Sequence, residues 1–383
     1  MKKIYYLGSY IAEEFYEENR YCSLACMNKM KGIISALNDS YDVEIISSCL
    51  SHGKKVCNSH EKRINGNVNL ILFSSLGRKN RIFRVLDVIW FKLQLIAFFF
   101  RNICKSDKVI VYHSLIYVET ILLLKKIIGF DLILEFEELY SDVWKENASR
   151  GIELKLLKKA DKYIFPTKLI PQEYGVSKDK YVIIHGNYCC KRERESSVPH
   201  KKTEIVYAGN LEPRKGCIDA ILAAQYLSDN YHISVLGTGS EKEIERVNAV
   251  IKETNEKGGA EVTFKGVLLG REYEAYLQTC DIGLCTQDPE AEFTNTSFPS
   301  KILSYLTNGL RVLSIDIPSV RGSDVSPILY FYNAQTPEEI ANSIKKIDIK
   351  SDYDSVALIH GLFEKSRIEL RKLIEEGNEK SVT

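Results

Sequence analysis

Three stretches of this 383-residue chain bring together residue types that can hold an anion. In the first, an apolar run ending at Tyr207 and Ala208 empties into Gly209, Asn210, Leu211, Glu212, Pro213, Arg214, Lys215 and Gly216, and a helical pattern follows. A strand that opens through a Gly-containing loop onto a helix leaves backbone N–H groups and the positive end of the helix dipole unsatisfied. Arg214 and Lys215 add two cations there, which suits a diphosphate. The pattern is neither a Walker sequence nor Gly-x-Gly-x-x-Gly, and a plain βα turn with an exposed basic pair fits it equally. In the second stretch, Gly237 and Gly239 end a strand pattern and allow close approach to the backbone. A tight turn explains that pair as well. The third holds Thr296, Ser297, Phe298, Pro299, Ser300, Lys301 and Ser304. Its proline stands just ahead of an amphipathic helix that Gly309 closes. A lysine in a first helical turn is disfavoured by the dipole, so Lys301 invites pairing with a bound anion.

Two further groups lie at predicted strand ends in the first half. His113 follows the run 108–112, and Glu137 and Glu138 follow 132–136. Ligands of open α/β sheets gather at strand C-termini, where a histidine or a carboxylate can act as a base. A histidine that only caps a strand and a solvated acidic loop are the alternatives. Gly8 and Ser9 follow the first strand in the same way.

The elements that must position these residues alternate along the chain. Strand patterns fall at 4–7, 43–47, 68–73, 108–112, 132–136, 163–165 and 182–185. Six more fall at 204–208, 232–236, 262–265, 282–285, 311–315 and 328–331, with helical patterns between, among them 217–227 and 272–279. Several runs are continuously apolar, as in parallel strands buried on both faces. The expected fold class is α/β, with two Rossmann-like domains built on parallel sheets. Residues 191–202 have almost no apolar side chain and read as a linker. The expected organisation is a domain over 1–190, a second over 203–351, and a charged helical tail over 352–383 that crosses back to the first domain.

Composition limits the function. Lys plus Arg number 52 against 51 Asp plus Glu, so no global basic field exists to hold nucleic acid. The 45% hydrophobic and 27% charged fractions are those of a globular protein. Ten cysteines contain no Cys-x-x-Cys, which argues against a zinc or dithiol motif and for small buried hydrophobes in a reducing cytosol. The opening residues run directly into a strand pattern, so no signal peptide is expected. The apolar run 85–100 carries Asp87, Lys92 and Gln94 and is too short to span a bilayer. With Arg78, Lys79, Arg81 and Arg84 ahead of it, segment 78–100 also fits a peripheral contact with anionic lipid. Burial of 90–100 as a core helix is the competing expectation.

The three anion-binding stretches, in this order and spacing, resemble the second domain of retaining GT-B-fold glycosyltransferases that use nucleotide sugars. The resemblance is carried by Ala-Gly-Asn-Leu-Glu-Pro-Arg-Lys-Gly (208–216) and Phe-Pro-Ser-Lys-Ile-Leu-Ser-Tyr-Leu-Thr-Asn-Gly (298–309). It implies two domains facing a central cleft and a donor diphosphate held by Lys215, with Arg214 in place of the arginine that usually stands at Asn210. It also implies a role near the donor sugar for His113. Two glutamates common in the family fall at Thr296 and Ser304, eight positions apart, and neither residue is acidic here. The implied donor is a nucleotide diphosphate sugar, expected to be UDP-linked, with no other cofactor and no metal. The implied acceptor is a saccharide, free or lipid-linked, used in cell-surface polysaccharide assembly at the cytoplasmic side of the membrane. A nucleotide-sugar epimerase of the same architecture and an inactive binding subunit are the rival expectations.

Overall fold

The computed structural model describes residues 2–141, 149–189, 201–291, 294 and 297–376. The chain divides into two compact units, Met1–Asn187 with Glu364–Thr383, and Tyr188–Phe363.

The first unit is built on a sheet of strands β1 (Lys2–Gly8), β2 (Tyr41–Ser47), β3 (His60–Asn65), β4 (Val68–Leu72), β5 (Lys108–Tyr112), β6 (Asp131–Glu135), β7 (Lys162–Phe165) and β8 (Tyr181–Ile183). Their order across the sheet is β3-β4-β2-β1-β5-β6-β7-β8. Every pair is parallel except β3 with β4. The central strands carry unbroken apolar side chains because helices cover both faces: Ile4, Tyr6, Leu7 and Val109 to Val111 are all fully buried. Strand β3 has no counterpart in the sequence reading. All its residues but Ile64, namely His60, Glu61, Lys62, Arg63 and Asn65, are polar because it is an antiparallel edge with solvent on one side, where charges discourage edge-to-edge pairing.

The second unit carries β9 (Thr203–Asn210), β10 (Tyr231–Thr238), β11 (Glu261–Gly266), β12 (Ile282–Cys285), β13 (Arg311–Ile315) and β14 (Tyr330–Tyr332) in the order β11-β10-β9-β12-β13-β14. All five pairings are parallel. Every residue of β12 and β13 is buried. The last strand starts two residues later than its apolar pattern, because Pro327 sits in a 3-10 turn, Ser326–Ile328, ahead of it.

Helix termini follow local rules. Ser240 and Glu243 form a reciprocal capping box at Glu241–Lys257. The helix Ser355–Glu375 begins in the second unit, where Ser355 Oγ donates to Leu306 O (2.8 Å). Its last turns belong to the first unit, where Arg371 donates to Ala36 O (2.8 Å) and Lys162 Nζ to Leu373 O (2.5 Å).

Helix Arg81–Asn102 meets the expectation of a core helix on one face only. Phe91, Leu95 and Phe99 enter the core, with Phe99 packed on Phe130 at 5.5 Å between ring centres. The other face leaves Ile82, Val85 and Phe100 more than half exposed. Among the described residues, no helix is long and apolar enough to cross a membrane.

Candidate functional site

The second unit changes direction beside β9. From β9 the chain winds outward through β10 to β11, then returns to place β12 on the other side of β9. Strand ends on either side of such a reversal splay apart, and the crevice between them is where open α/β sheets bind ligands. Here β9 and β12 pair only through Ile205 with Ile282 and Val206 with Gly283. Beyond that point the hydroxyl of Tyr305 enters the gap and accepts from Ala208 N–H at 2.7 Å. A Cβ on Gly283 would lie 2.3 Å from the Tyr305 ring, so only glycine fits beneath it.

Lys301 lies one turn before Tyr305 on helix Ser300–Leu306. Its Nζ sits 4.0 Å from the centre of the Tyr207 ring, a cation–π contact, and has no hydrogen-bond partner among the described residues. A Cβ on Gly209 would approach this nitrogen to 3.3 Å. Burial lowers the lysine pKa from 10.5, and the neighbouring Lys215 pushes it the same way. The Tyr207 hydroxyl braces the adjoining loop by donating to Asn210 O (2.9 Å) and Lys215 O (3.0 Å). Lys215 ends the 3-10 turn Pro213–Lys215, and Gly216 follows with φ 75°. A Cβ on Gly216 would fall 1.4 Å from Thr286 O, while Thr286 Oγ1 donates to Gly216 O at 2.7 Å. Beside this turn, Gln335 Nε2 donates to Asp219 Oδ2 (2.9 Å) and Thr286 O (2.6 Å). Two ammonium groups are thus brought close at a splayed strand end, one of them dry. A buried charge without a partner is costly, and an anion bound between them would offset that cost.

The other predicted residues of this unit stand as follows. Asn210 Oδ1 accepts from Glu212 N–H (2.8 Å), and Arg214 pairs with Glu212 Oε1 (2.6 Å). Gly237 has a packing reason of its own, since a Cβ there would meet Gly209 O at 1.9 Å. Gly239 lies under the Glu243 side chain of the capping box. The helix expected over 217–227 is α-helical only over Cys217–Leu222, with a 3-10 turn to Tyr226, so its dipole is short. Phe298 and Pro299 are buried ahead of helix Ser300–Leu306, with Ser297 half-buried and Ser300 exposed. Ser304 is hydrogen-bonded to Tyr273. Thr296 lies outside the described residues.

In the first unit the reversal falls between β1 and β5, which places Gly8 and His113 at neighbouring strand ends. A Cβ on Gly8 would lie 2.5 Å from Met30 Sδ. Ser9 Oγ accepts from Ser23 N–H (2.8 Å) and lies within 3.5 Å of the Cys22 and Cys49 thiols. His113 is 1% exposed, stacked between Phe136 (4.7 Å) and Tyr140 (5.1 Å). Its Nδ1 donates to Glu138 O (3.2 Å). Its Nε2 lies 3.3 Å from Glu153 Oε1 but off the line of a hydrogen bond, because that carboxylate accepts from Tyr140 N–H, Ser141 N–H and Ser149 Oγ. Burial lowers the His113 pKa to about 4, so the ring is neutral at pH 7. Glu137 pairs with Lys29 and keeps a quarter of its side chain exposed; burial raises its pKa while Lys29 opposes the rise.

Beside this pair stands Glu135, which the sequence shows only as one acid among several. It is fully buried, with Oε2 accepting from the Tyr6 hydroxyl and Oε1 without a partner among the described residues. Burial pushes its pKa up to about 8, and Glu137 adds to the shift against Lys29 and Tyr6. Lys29 carries no sequence signal, since it lies in an otherwise helical stretch with a second lysine two residues on. Tyr305 and Gln335 were likewise hidden, because strand splay and loop bracing leave no local pattern.

The two predominantly parallel sheets, each with its reversal, define a GT-B architecture. Solved structures bear this out over the full chain. An E. coli structure described as "Trehalose-6-phosphate … bound with UDP-2-fluoro glucose" superposes with a TM-score of 0.70 at 10% identity, covering 100% of both chains. The trehalose-6-phosphate synthase OtsA gives 0.71 at 9%, again with 100% of each chain. A UDP-forming α,α-trehalose-phosphate synthase from Burkholderia xenovorans in complex with glucose-6-phosphate gives 0.67 at 9%, over 97% of this chain and 100% of that one. No protein-family model and no curated protein matches the sequence.

Proposed function

We propose that this protein is a glycosyltransferase that moves a sugar from a nucleotide diphosphate sugar, UDP-linked, to a saccharide acceptor with retention of configuration. The observation that carries this reading is the buried Lys301 ammonium, without a hydrogen-bond partner among the described residues, beside Lys215 at the β9–β12 reversal. These two cations neutralise the diphosphate as it departs, a charge that develops most fully in the transition state. The fold supports the reading, as do the ligands named for structures that share it: a UDP-sugar analogue in one and glucose-6-phosphate in another. Gly209, where a Cβ would come within 3.3 Å of Lys301 Nζ, leaves that ammonium clear of a side chain. On the acceptor side Glu137 is the more open carboxylate. His113, closed between two rings, shapes the end of β5.

The finer reading is a lipid-linked saccharide acceptor in cell-surface polysaccharide assembly, met at a membrane surface on the cytoplasmic side. Titration calorimetry with UDP, GDP and uridine, followed by turnover with a panel of UDP-sugars and acceptors, tests both levels. Diphosphate binding with acceptor-dependent nucleotide release supports transfer. Acceptor-independent release indicates an epimerase, and binding without turnover an inactive subunit. No diphosphate affinity at all would remove the reading.

A further inference from the structure

We propose that the outward face of helix Arg81–Asn102 docks on an anionic lipid surface. Its core face is already filled by Phe91, Leu95 and Phe99, so packing inside the unit gives no reason for a second apolar face. Yet Ile82, Val85, Leu86, Ile89, Leu93 and Phe100 are each between 43% and 69% exposed. At 3.6 residues per turn these six positions fall on one stripe along nearly the whole helix. The stripe runs from the first turn to the last, so the helix lies flat on its partner. Isolated exposed apolar residues are ordinary, but a continuous stripe of this kind marks an interaction surface.

Charge selects the occupant. The exposed basic residues Arg81, Arg84 and Arg101 lie at the two ends of the helix, and Lys79 just before it rests over the Phe83 ring. The helix contains one acid, Asp87, and it is turned inward. There it accepts from Ser75 Oγ (2.8 Å) and Leu76 N–H (2.7 Å), with Arg78 3.5 Å away. Glu119, the carboxylate beside the helix, is paired with Lys92, and Arg84 is turned away from the stripe. The exposed face of this helix is therefore apolar along its centre and flanked at its ends by Arg81 and Arg101, about 100° to either side of the stripe. That is the pattern of a helix lying in the headgroup region of an anionic membrane, with apolar side chains entering the acyl boundary. The inference does not depend on the nucleotide-sugar reading.

The test is flotation of the full chain with phosphatidylcholine vesicles, with and without phosphatidylglycerol. The protein is expected to float with the anionic vesicles and stay behind with the neutral ones. Arg81→Glu and Arg101→Glu should each weaken the partition by about fivefold or more. Ile89→Glu with Leu93→Glu should abolish it with no fall in Tm, both side chains being outside the core. Should that pair lower the Tm, Ile82→Ser with Phe100→Ser makes the same test with neutral residues. Arg78 is left unchanged, because it stands beside the buried Asp87. Equal flotation of wild type and all variants, or no flotation of the wild type, overturns the proposal. So does a wild-type dimer, seen by sedimentation, that the Ile89 and Leu93 substitutions dissociate, since the stripe would then be an interface between two copies.

Discussion

The hydroxyl of Tyr305 accepts the Ala208 N–H at 2.7 Å, at the point where β9 and β12 cease to pair. The hydrogen bond replaces a missing sheet contact with a side chain from the helix that also carries Lys301. Splay of the strands, support for the splay and placement of the cation are thus the work of one seven-residue helix. Buried polar groups that satisfy one another in this way fix a local geometry as well as stabilise it.

Tyr305→Phe removes the acceptor and strands the Ala208 N–H. The variant should lose about 1–3 kcal/mol in denaturant melts, the usual penalty for an unsatisfied buried donor. An unchanged midpoint would mean that β9 and β12 re-pair without the tyrosine.

Lys215→Ala should weaken UDP binding by about tenfold or more, a charge-assisted contact being worth roughly 1.5–3 kcal/mol. Uridine affinity should not move, because the nucleoside has no phosphate to meet the ammonium. Titration calorimetry on both ligands gives the answer, and equal losses for both would displace Lys215 from the phosphate end.

How far the sequence reached can be judged from the two lysines. Lys215 was legible because a strand, a glycine and a basic pair before a helical pattern make a local signature. Lys301 was legible as an anomaly, a cation in a first helical turn. What could not be read was their meeting, since it depends on Tyr207, on the splay of β9 from β12 and on Gly283. The parallel strands were visible as apolar runs, whereas β3 was not, because an edge strand needs no apolar alternation. The apolar run 85–100 was read as either core or lipid face. Its core face is buried and its other face is exposed and apolar, and linear hydropathy does not separate two opposite apolar faces. Lys29 beside Glu135 and Glu137 came from three separate segments and left no local trace.

Turnover is expected to survive EDTA. The charge on the departing diphosphate is met by Lys215 and Lys301, the task that a divalent cation performs where such side chains are lacking. Nucleotide release that stops on chelation and returns with magnesium would show that the two ammonium groups are insufficient.

Glu135 gives a pH signature. Its folded-state pKa of about 8 lies above the ordinary 4.5, so between those values the native state holds a proton that the unfolded chain has released. Stability therefore falls as pH rises through this window, and the full cost of the buried carboxylate is present above pH ~8. Glu135→Gln, which cannot ionise, should flatten the decline in Tm across the window. A wild-type Tm with the same slope as the variant would place the carboxylate's titration elsewhere.

Lys301 should act with the opposite sign. Its pKa is lowered from 10.5 by burial, so between its folded value and 10.5 the unfolded chain binds a proton that the native state lacks. Stability of the ligand-free protein rises with pH through that window, and the cost of the dry ammonium is fully present below it. Lys301→Met keeps the packing on Tyr207 and removes the charge. It should be more stable than wild type at neutral pH, as expected when an uncompensated buried charge is replaced by an apolar side chain. That advantage should shrink as pH approaches 10.5. UDP should invert the ranking, because a bound diphosphate supplies the missing partner to the lysine and nothing to the methionine, so the wild type gains more Tm from saturating ligand. Thermal melts of both proteins, with and without UDP and across pH, contain the whole test. Equal UDP-induced shifts would show that the diphosphate does not reach this nitrogen.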